Sequence, residues 1–289
     1  MNQTSSLQQK QLKQGQLNFW LTNRIPRVFL THAMGWLSKI RQPWFVRSSL
    51  WAWQKLSDLD LSEAEKSSFD SIHDCFVRRL KPGARPFEST PEVACSPCDA
   101  LVGARGIVKN NSLLQAKGMV YSLSDLMQSE QDARRCEGYT YVTLRLTASM
   151  YHHFHAPHDI QIQQIRYIHG DVWNVNPPTL DRVNSLFARN ERAVIRATLR
   201  PTGQTLWLVP VAAVLVASMR FTFTDLHLHL NYRGPTEVAS QALLSKGEEL
   251  GWFEHGSTII CLMPPGWDFI GPEPGGRINA GQPMFRQQT

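Results

Sequence analysis

The chain has 289 residues, 42% of them hydrophobic, an ordinary globular composition that supports one large domain with an appendage or two modest ones and excludes a chain too polar to form a core. Its formal charge of +6 suits contact with something anionic, a nucleic acid or an acidic lipid surface, without choosing between them. The five cysteines are odd in number and, apart from Cys95-Ser96-Pro97-Cys98, lack framework spacing, which argues against a disulfide-stapled scaffold and favours a reducing compartment.

The start, Met1-Asn2-Gln3-Thr4, runs into a Gln- and Ser-rich stretch where a secretory signal would be basic and then apolar, so residues 1–18 are expected to be a disordered polar tail. Trp20, Trp36, Trp44, Trp51 and Trp53 then crowd five of the nine tryptophans into one terminal region. Ile25, Phe29, Ala33, Trp36 and Ile40 recur at helical spacing on one face, with Arg24, Arg27, Lys39 and Arg41 mostly elsewhere. Pro43 breaks the pattern, and a second helix carries Val46, Leu50 and Trp53 on one side with Arg47 opposite. A basic, Trp-rich helical hairpin fits an interfacial membrane element as well as it fits packing on a core; pattern alone does not choose.

From Leu61 to Leu80 the spacing of Phe69, Ile72, Cys75, Phe76 and Leu80 predicts a further helix, acidic near its start at Glu63 and Glu65, basic near its end at Arg78, Arg79 and Lys81, and closed by Pro82-Gly83. Beyond Pro91 the texture changes to short β-branched and aromatic runs: Tyr139 to Leu146, Ile160 to His169, Ala193 to Leu199, Thr205 to Val216, Phe221 to Leu230 and Thr258 to Met263. These predict a β sandwich or barrel. The apolar run from Leu206 to Ala217 is shorter than the roughly 20 residues needed to span a bilayer and is interrupted by Pro210, so it reads as buried strands. His227 and His229 are expected to share the outer face of one strand. Neither they nor Cys95 and Cys98, which have no second cysteine pair, make a metal site, and no nucleic-acid motif appears.

Three separated segments bear chemistry. In Gly256-Ser257-Thr258 the serine hydroxyl has an unhindered carbonyl just upstream, which it attacks through a five-membered ring if the backbone is strained and a base removes the proton. Alone, such a tripeptide is ordinary turn chemistry. Its company is Tyr151-His152-His153-Phe154-His155-Ala156-Pro157-His158, a source of a base, and Ser96-Pro97-Cys98-Asp99, a source of a carboxylate to orient that base.

In this order the three segments resemble the phosphatidylserine decarboxylase proenzymes, with their Ser-Pro-x-Asp turn, Tyr-His-x-x-His-x-Pro segment and Gly-Ser-Thr processing site. Leu114-Gln115-Ala116-Lys117-Gly118 with Tyr121-Ser122-Leu123, Gly170 to Asn176, and Leu186 to Arg192 look like further family segments, and the likeness runs from Trp20 to Phe285. It implies an α+β fold: a mainly antiparallel β sandwich or barrel catalytic domain, residues 91–289, preceded by amphipathic helices and a linker, residues 19–90, that associate with a membrane.

The resemblance also assigns roles. Asp99 matches the triad carboxylate, His155 the base, and Ser257 the serine that cuts the chain after Gly256. Attack on the Gly256 carbonyl gives an ester, β-elimination releases the Gly256 carboxylate, and the remaining dehydroalanine hydrolyses to a pyruvoyl group with loss of ammonia. Two fragments result, Met1 to Gly256 and one running from the pyruvoyl to Thr289. The pyruvoyl forms a Schiff base with phosphatidylserine and releases carbon dioxide to leave phosphatidylethanolamine, with His152 or His155 the proton donor. Implied partners are phosphatidylserine, an anionic membrane surface on the cytoplasmic face of the cell membrane, the two fragments themselves, and a second copy in a homodimer; nucleic acid is not among them. His153, expected as an exposed strand residue, and His158 are left out of the site. His255 before the Gly-Ser pair and Cys98 before the Asp depart from the family pattern. Competing readings are a lipid-binding homologue that never cleaves and a pyruvoyl enzyme acting on a soluble amino acid, against which the tryptophan-rich hairpin speaks.

Overall fold

The computed structural model describes residues 27–116, 118–213, 218–229, 231–254 and 258–288. The predicted polar tail lies outside them, as do Trp20, Ile25, His255, Gly256 and Ser257. Two helices open the described chain, α1 (Arg27–Leu37) and α2 (Pro43–Leu56). Pro43 stands in the first turn of α2, where a fixed φ is preorganised and no backbone N–H is needed. Val46 is buried and Trp53 stacks on Phe76 with ring centroids 5.9 Å apart, so α2 docks through the face its apolar spacing predicts. Trp36, Trp44 and Trp51 are instead 71%, 70% and 63% exposed.

The single helix expected over Leu61 to Leu80 does not form. Only α3 (Ile72–Phe76) is helical, and the residues ahead of it turn back until Ala64 bridges Leu80. Short polar side chains explain the difference: Asp60 Oδ1 accepts from the Ser62 N–H at 2.8 Å, Asp74 Oδ2 from that of Asp70 at 3.1 Å, and Ser71 Oγ from that of Asp74 at 3.0 Å. Such local bonds compete with a helix until Ser71 caps a short one.

The rest is mainly β. The large sheet has the order β12 (Glu237–Ala239), β7 (Ile160–Ile168), β8 (Arg192–Leu199), β9 (Thr205–Val211), β15 (Thr258–Met263), β5 (Thr140–Arg145), β2 (Ala100–Ile107) and β17 (Arg277–Ile278), with β13 (Leu243–Leu244) also on β7. Its ladders are antiparallel, and it ends at β12 and β17, so it does not close into a barrel. A second sheet runs β11 (His227–His229), β10 (Ser218–Phe221), β14 (Glu249–Phe253), β6 (His153–His155). A third runs β1 (Val93–Cys95), β18 (Pro283–Gln287), β16 (Trp267–Phe269), and β3 (Ser112–Ala116) pairs with β4 (Met119–Ser122).

Each face of the large sheet has its own core. Ala193, Ile195, Leu208, Ile259 and Cys261 pack with Phe154, Met219, Leu250 and Phe253 of the second sheet, the sandwich that the strand pattern predicts. Val194, Trp207, Val209, Ile260 and Leu262 pack on the other side with the β3–β4 hairpin and with α4 (Leu123–Met127), while α5 (Glu130–Arg135), α6 (Pro177–Leu180) and α7 (Leu186–Arg189) complete that layer. Burial on both faces is why β9 and β15 read as continuous apolar runs with no alternation. The strand expected from Phe221 to Leu230 is broken: Thr222, Thr224 and Asp225 favour a turn, and β10 folds back on β11 with Ser218 opposite His229 and Arg220 opposite His227. His227 and His229 do share a face, with Leu228 buried between them.

Candidate active site

Backbone hydrogen bonds draw the three chemistry-bearing segments together. β14 lies against β6, Glu249 opposite His155 and Trp252 opposite His153, and beyond the ladder the Phe253 N–H donates to the His152 carbonyl at 3.0 Å. The chain then enters the undescribed residues 255–257, which contain the predicted cut site, and returns as Thr258 at the start of β15. Thr258 pairs with Arg145 of β5, and Arg145 with Leu101 of β2, two residues after Asp99. At the usual strand spacing, β15 and β2 are about 10 Å apart. On the other side the His155 N–H donates to the Pro97 carbonyl at 2.8 Å. The Asp99 turn and the histidine segment are therefore bonded directly, and the chain on the two sides of residues 255–257 belongs to the two packed sheets, Phe253 to the second and Thr258 to the large one. Glu254 and Thr258, which flank the junction, are both buried.

His155 is half-buried, and its ring is fixed at both nitrogens. Nδ1 lies 3.0 Å from the Gly247 carbonyl, which only accepts, so Nδ1 carries the proton. Nε2, 3.1 Å from the Tyr151 hydroxyl, keeps the lone pair. Burial lowers the His155 pKa, so near neutrality the ring is an uncharged base with its basic nitrogen toward Tyr151. Burial also pushes the Tyr151 phenol far up, which keeps it a hydroxyl donor.

Asp99 is 1% exposed, and its carboxylate accepts from Arg85 Nε at 2.8 Å, Arg85 Nη2 at 2.7 Å and the Ala280 N–H at 2.9 Å. Arg85 also reaches Glu63 at 2.8 Å. The resemblance has Asp99 orienting His155; here Arg85 and Ala280 take the carboxylate, and the Gly247 carbonyl orients the imidazole. His152 is fully buried, its ring 3.9 Å from that of Phe76, which stacks in turn on Trp53, so α2 touches the site through a column of rings.

His153 is not exposed. It is 2% accessible, its Nε2 lies 3.1 Å from the Val77 carbonyl and its Nδ1 3.1 Å from Glu249 Oε2, and its ring sits between those of Tyr151 and Trp252. The reason is that the helical segment covers β6, so the face that strand alternation assigns to solvent is roofed. His158 is buried as well, bonded to the Pro91 carbonyl at 2.6 Å and the Asp159 N–H at 2.8 Å, which is a structural role.

Sequence reasoning missed a polar group beside the junction. Glu254 accepts from Arg220 Nε at 3.0 Å and lies 3.7 Å from His227 Nε2. Burial alone would raise its pKa, but hydrogen bonds from His227 and Arg220 hold the carboxyl well below the usual range. The only signal for this group was the polar spacing of the β10–β11 hairpin. Arg85, read as linker, was missed for the same reason: its role depends on a partner rather than a motif.

The sequence profile described as phosphatidylserine decarboxylase matches residues 72–286. A phosphatidylserine decarboxylase proenzyme of Brevibacillus brevis is 33% identical over 277 residues, 93% of this chain and 97% of its own length. One from Haemophilus influenzae strain KW20 is 33% identical over 247 residues, 83% of this chain and 84% of its own. One from Helicobacter pylori strain 26695 is 35% identical over 255 residues, 84% of this chain and 90% of its own.

Proposed function

The chain belongs to the phosphatidylserine decarboxylase family of carboxy-lyases, and from that premise we propose that it cuts itself between Gly256 and Ser257, converts Ser257 to a pyruvoyl group and decarboxylates phosphatidylserine at an anionic membrane surface. The observation that carries this reading is the set of hydrogen bonds joining Pro97 to His155 and His152 to Phe253, three residues before Gly256. His155, neutral and protonated at Nδ1, is suited to take the Ser257 hydroxyl proton at Nε2 as the hydroxyl attacks the Gly256 carbonyl. Glu249 and Asp99, the latter gripped by Arg85, add the negative potential that favours a transient imidazolium at His155.

The residues around the junction suit a pyruvoyl group. Glu254 and Thr258 are buried, which excludes water, and the Thr258 hydroxyl has no partner among the described residues, leaving a donor one position from the new chain start. A pyruvoyl group supplies an electrophilic ketone that captures an amine and drains electrons from the bond to the departing carboxylate. His152 and His155 are the residues we assign to return a proton to the carbon that loses carbon dioxide. After the cut, β15 to β18 belong to the small fragment, yet β15 remains paired with β5 and β9, so the two fragments stay together without a covalent link.

Membrane association rests on α1 and α2. Trp36, Trp44, Trp51 and Leu56 are exposed, with Lys39, Arg41, Arg47 and Lys55 beside them, the pairing of indoles and cations that suits an acidic lipid interface. Among the described residues no helix is long and apolar enough to cross a membrane. Denaturing electrophoresis tests the proposal: the native chain should run as two fragments and Ser257→Ala as one chain of 32.9 kDa, and a cut that survives the substitution would overturn it.

A further inference from the structure

The face of the large sheet turned away from the histidine layer carries a second polar recess. Register sets its floor: β8 places Arg196 opposite Trp207 of β9 and Thr198 opposite Thr205, and the period of two puts all four on one side of the sheet. Gln163 of β7 forms a wall and donates to Thr198 Oγ1 at 3.2 Å. Arg135, the last residue of α5, and Tyr139 line the remaining sides of a cavity of 240 Å³. Arg196 lies four residues along β8 from Arg192, which faces Val211 and through it Thr258, so the recess is about 13 Å along the strands from Thr258.

Every lining side chain carries a donor, and none is a carboxylate. Arg196 makes no ion pair among the described residues. Arg135 is 3.7 Å from Asp132, whose other oxygen is already bonded to Arg166 at 3.0 Å. Trp207 is 2% exposed, and its indole N–H has no acceptor among the described residues, an arrangement that costs stability unless an acceptor arrives. Two guanidinium groups over hydroxyl, amide and indole donors match the several acceptor oxygens of a tetrahedral phosphate group better than the two of a carboxylate. We propose that this recess binds an oxyanion of the phosphate class, either free phosphate or the phosphate of a phospholipid headgroup.

The test uses the full chain labelled with ¹⁵N, its Trp207 indole resonance identified by loss in Trp207→Phe. Sodium phosphate is titrated at constant ionic strength held with chloride, and glycerophosphoethanolamine is titrated in a second arm. A saturable shift of the Trp207 resonance, with affinity falling by about tenfold in Arg196→Gln and in Arg135→Gln, is the expected result; the factor is the loss of one charge-assisted contact. Arg135 is 55% exposed, so its variant should keep the remainder of the spectrum. Tighter binding of inorganic phosphate assigns the free anion, and tighter binding of the diester assigns the headgroup. No saturable shift in either arm, or equal affinity in both arginine variants and the native chain, overturns the proposal.

Discussion

Arg85 grips Asp99 through two parallel hydrogen bonds, Nε to Oδ1 at 2.8 Å and Nη2 to Oδ2 at 2.7 Å, and donating to Asp99 raises the guanidinium pKa further. The pair joins the segment before the β region to the turn that leads into β2. With Asp99 1% and the Arg85 side chain 12% exposed, removing either partner strands a buried charge. Arg85→Leu should lower stability by about 3 kcal/mol in chemical denaturation. Arg85→Lys, which keeps the charge and loses the fork, should cost visibly less. Equal losses in the two variants would mean that packing, not charge, holds the segment.

Self-cleavage should depend on His155 in its neutral form. Because burial lowers its pKa below the ordinary value of 6.5, the rate of appearance of the two fragments should be flat from neutral pH upward and fall only below that value. The same shift makes stability fall with pH: the unfolded chain takes up a proton near 6.5 that the folded ring resists, so stability present above that pH is lost on acidification. His155→Gln should leave mostly intact proenzyme at every pH, as should Asp99→Asn. A rate maximum on the acidic side would contradict a neutral base.

Glu191 is 1% exposed and accepts a hydrogen bond from the Tyr167 hydroxyl. Burial pushes its carboxyl up to about 7, against the smaller opposing effect of that bond. A raised carboxyl pKa stabilises the fold below the unfolded value of 4.5, and that contribution is lost as pH rises toward 7. Thermal unfolding followed from pH 4 to pH 8 should therefore show a decline that Glu191→Gln removes, of up to about 3 kcal/mol. An identical decline in the variant would assign it to other groups.

Trp36, Trp44 and Trp51 contribute exposed indoles, so replacing all three with Ser should leave self-cleavage unchanged and weaken binding to phosphatidylserine vesicles by on the order of tenfold or more in a flotation assay. Impaired cleavage in the triple variant would show instead that these side chains serve folding. A binding loss that disappears with neutral vesicles would fit the accompanying Lys and Arg residues.

What the sequence determined by itself is local and periodic. The two opening helices, the long strands from Thr140 to Arg145 and from Thr258 to Met263, and the grouping of functional residue types in three motifs were all legible, because side-chain spacing and turn chemistry act over a few residues. The tertiary structure decided who partners whom. Asp99 finds the Ala280 N–H 181 positions away, and His155 finds the Gly247 carbonyl 92 positions away. His153 is buried because a distant helical segment lies over β6, not because of anything beside it in the chain. Such contacts follow from strand register and layer packing, which fix the distances between separated segments only after the whole sheet has formed.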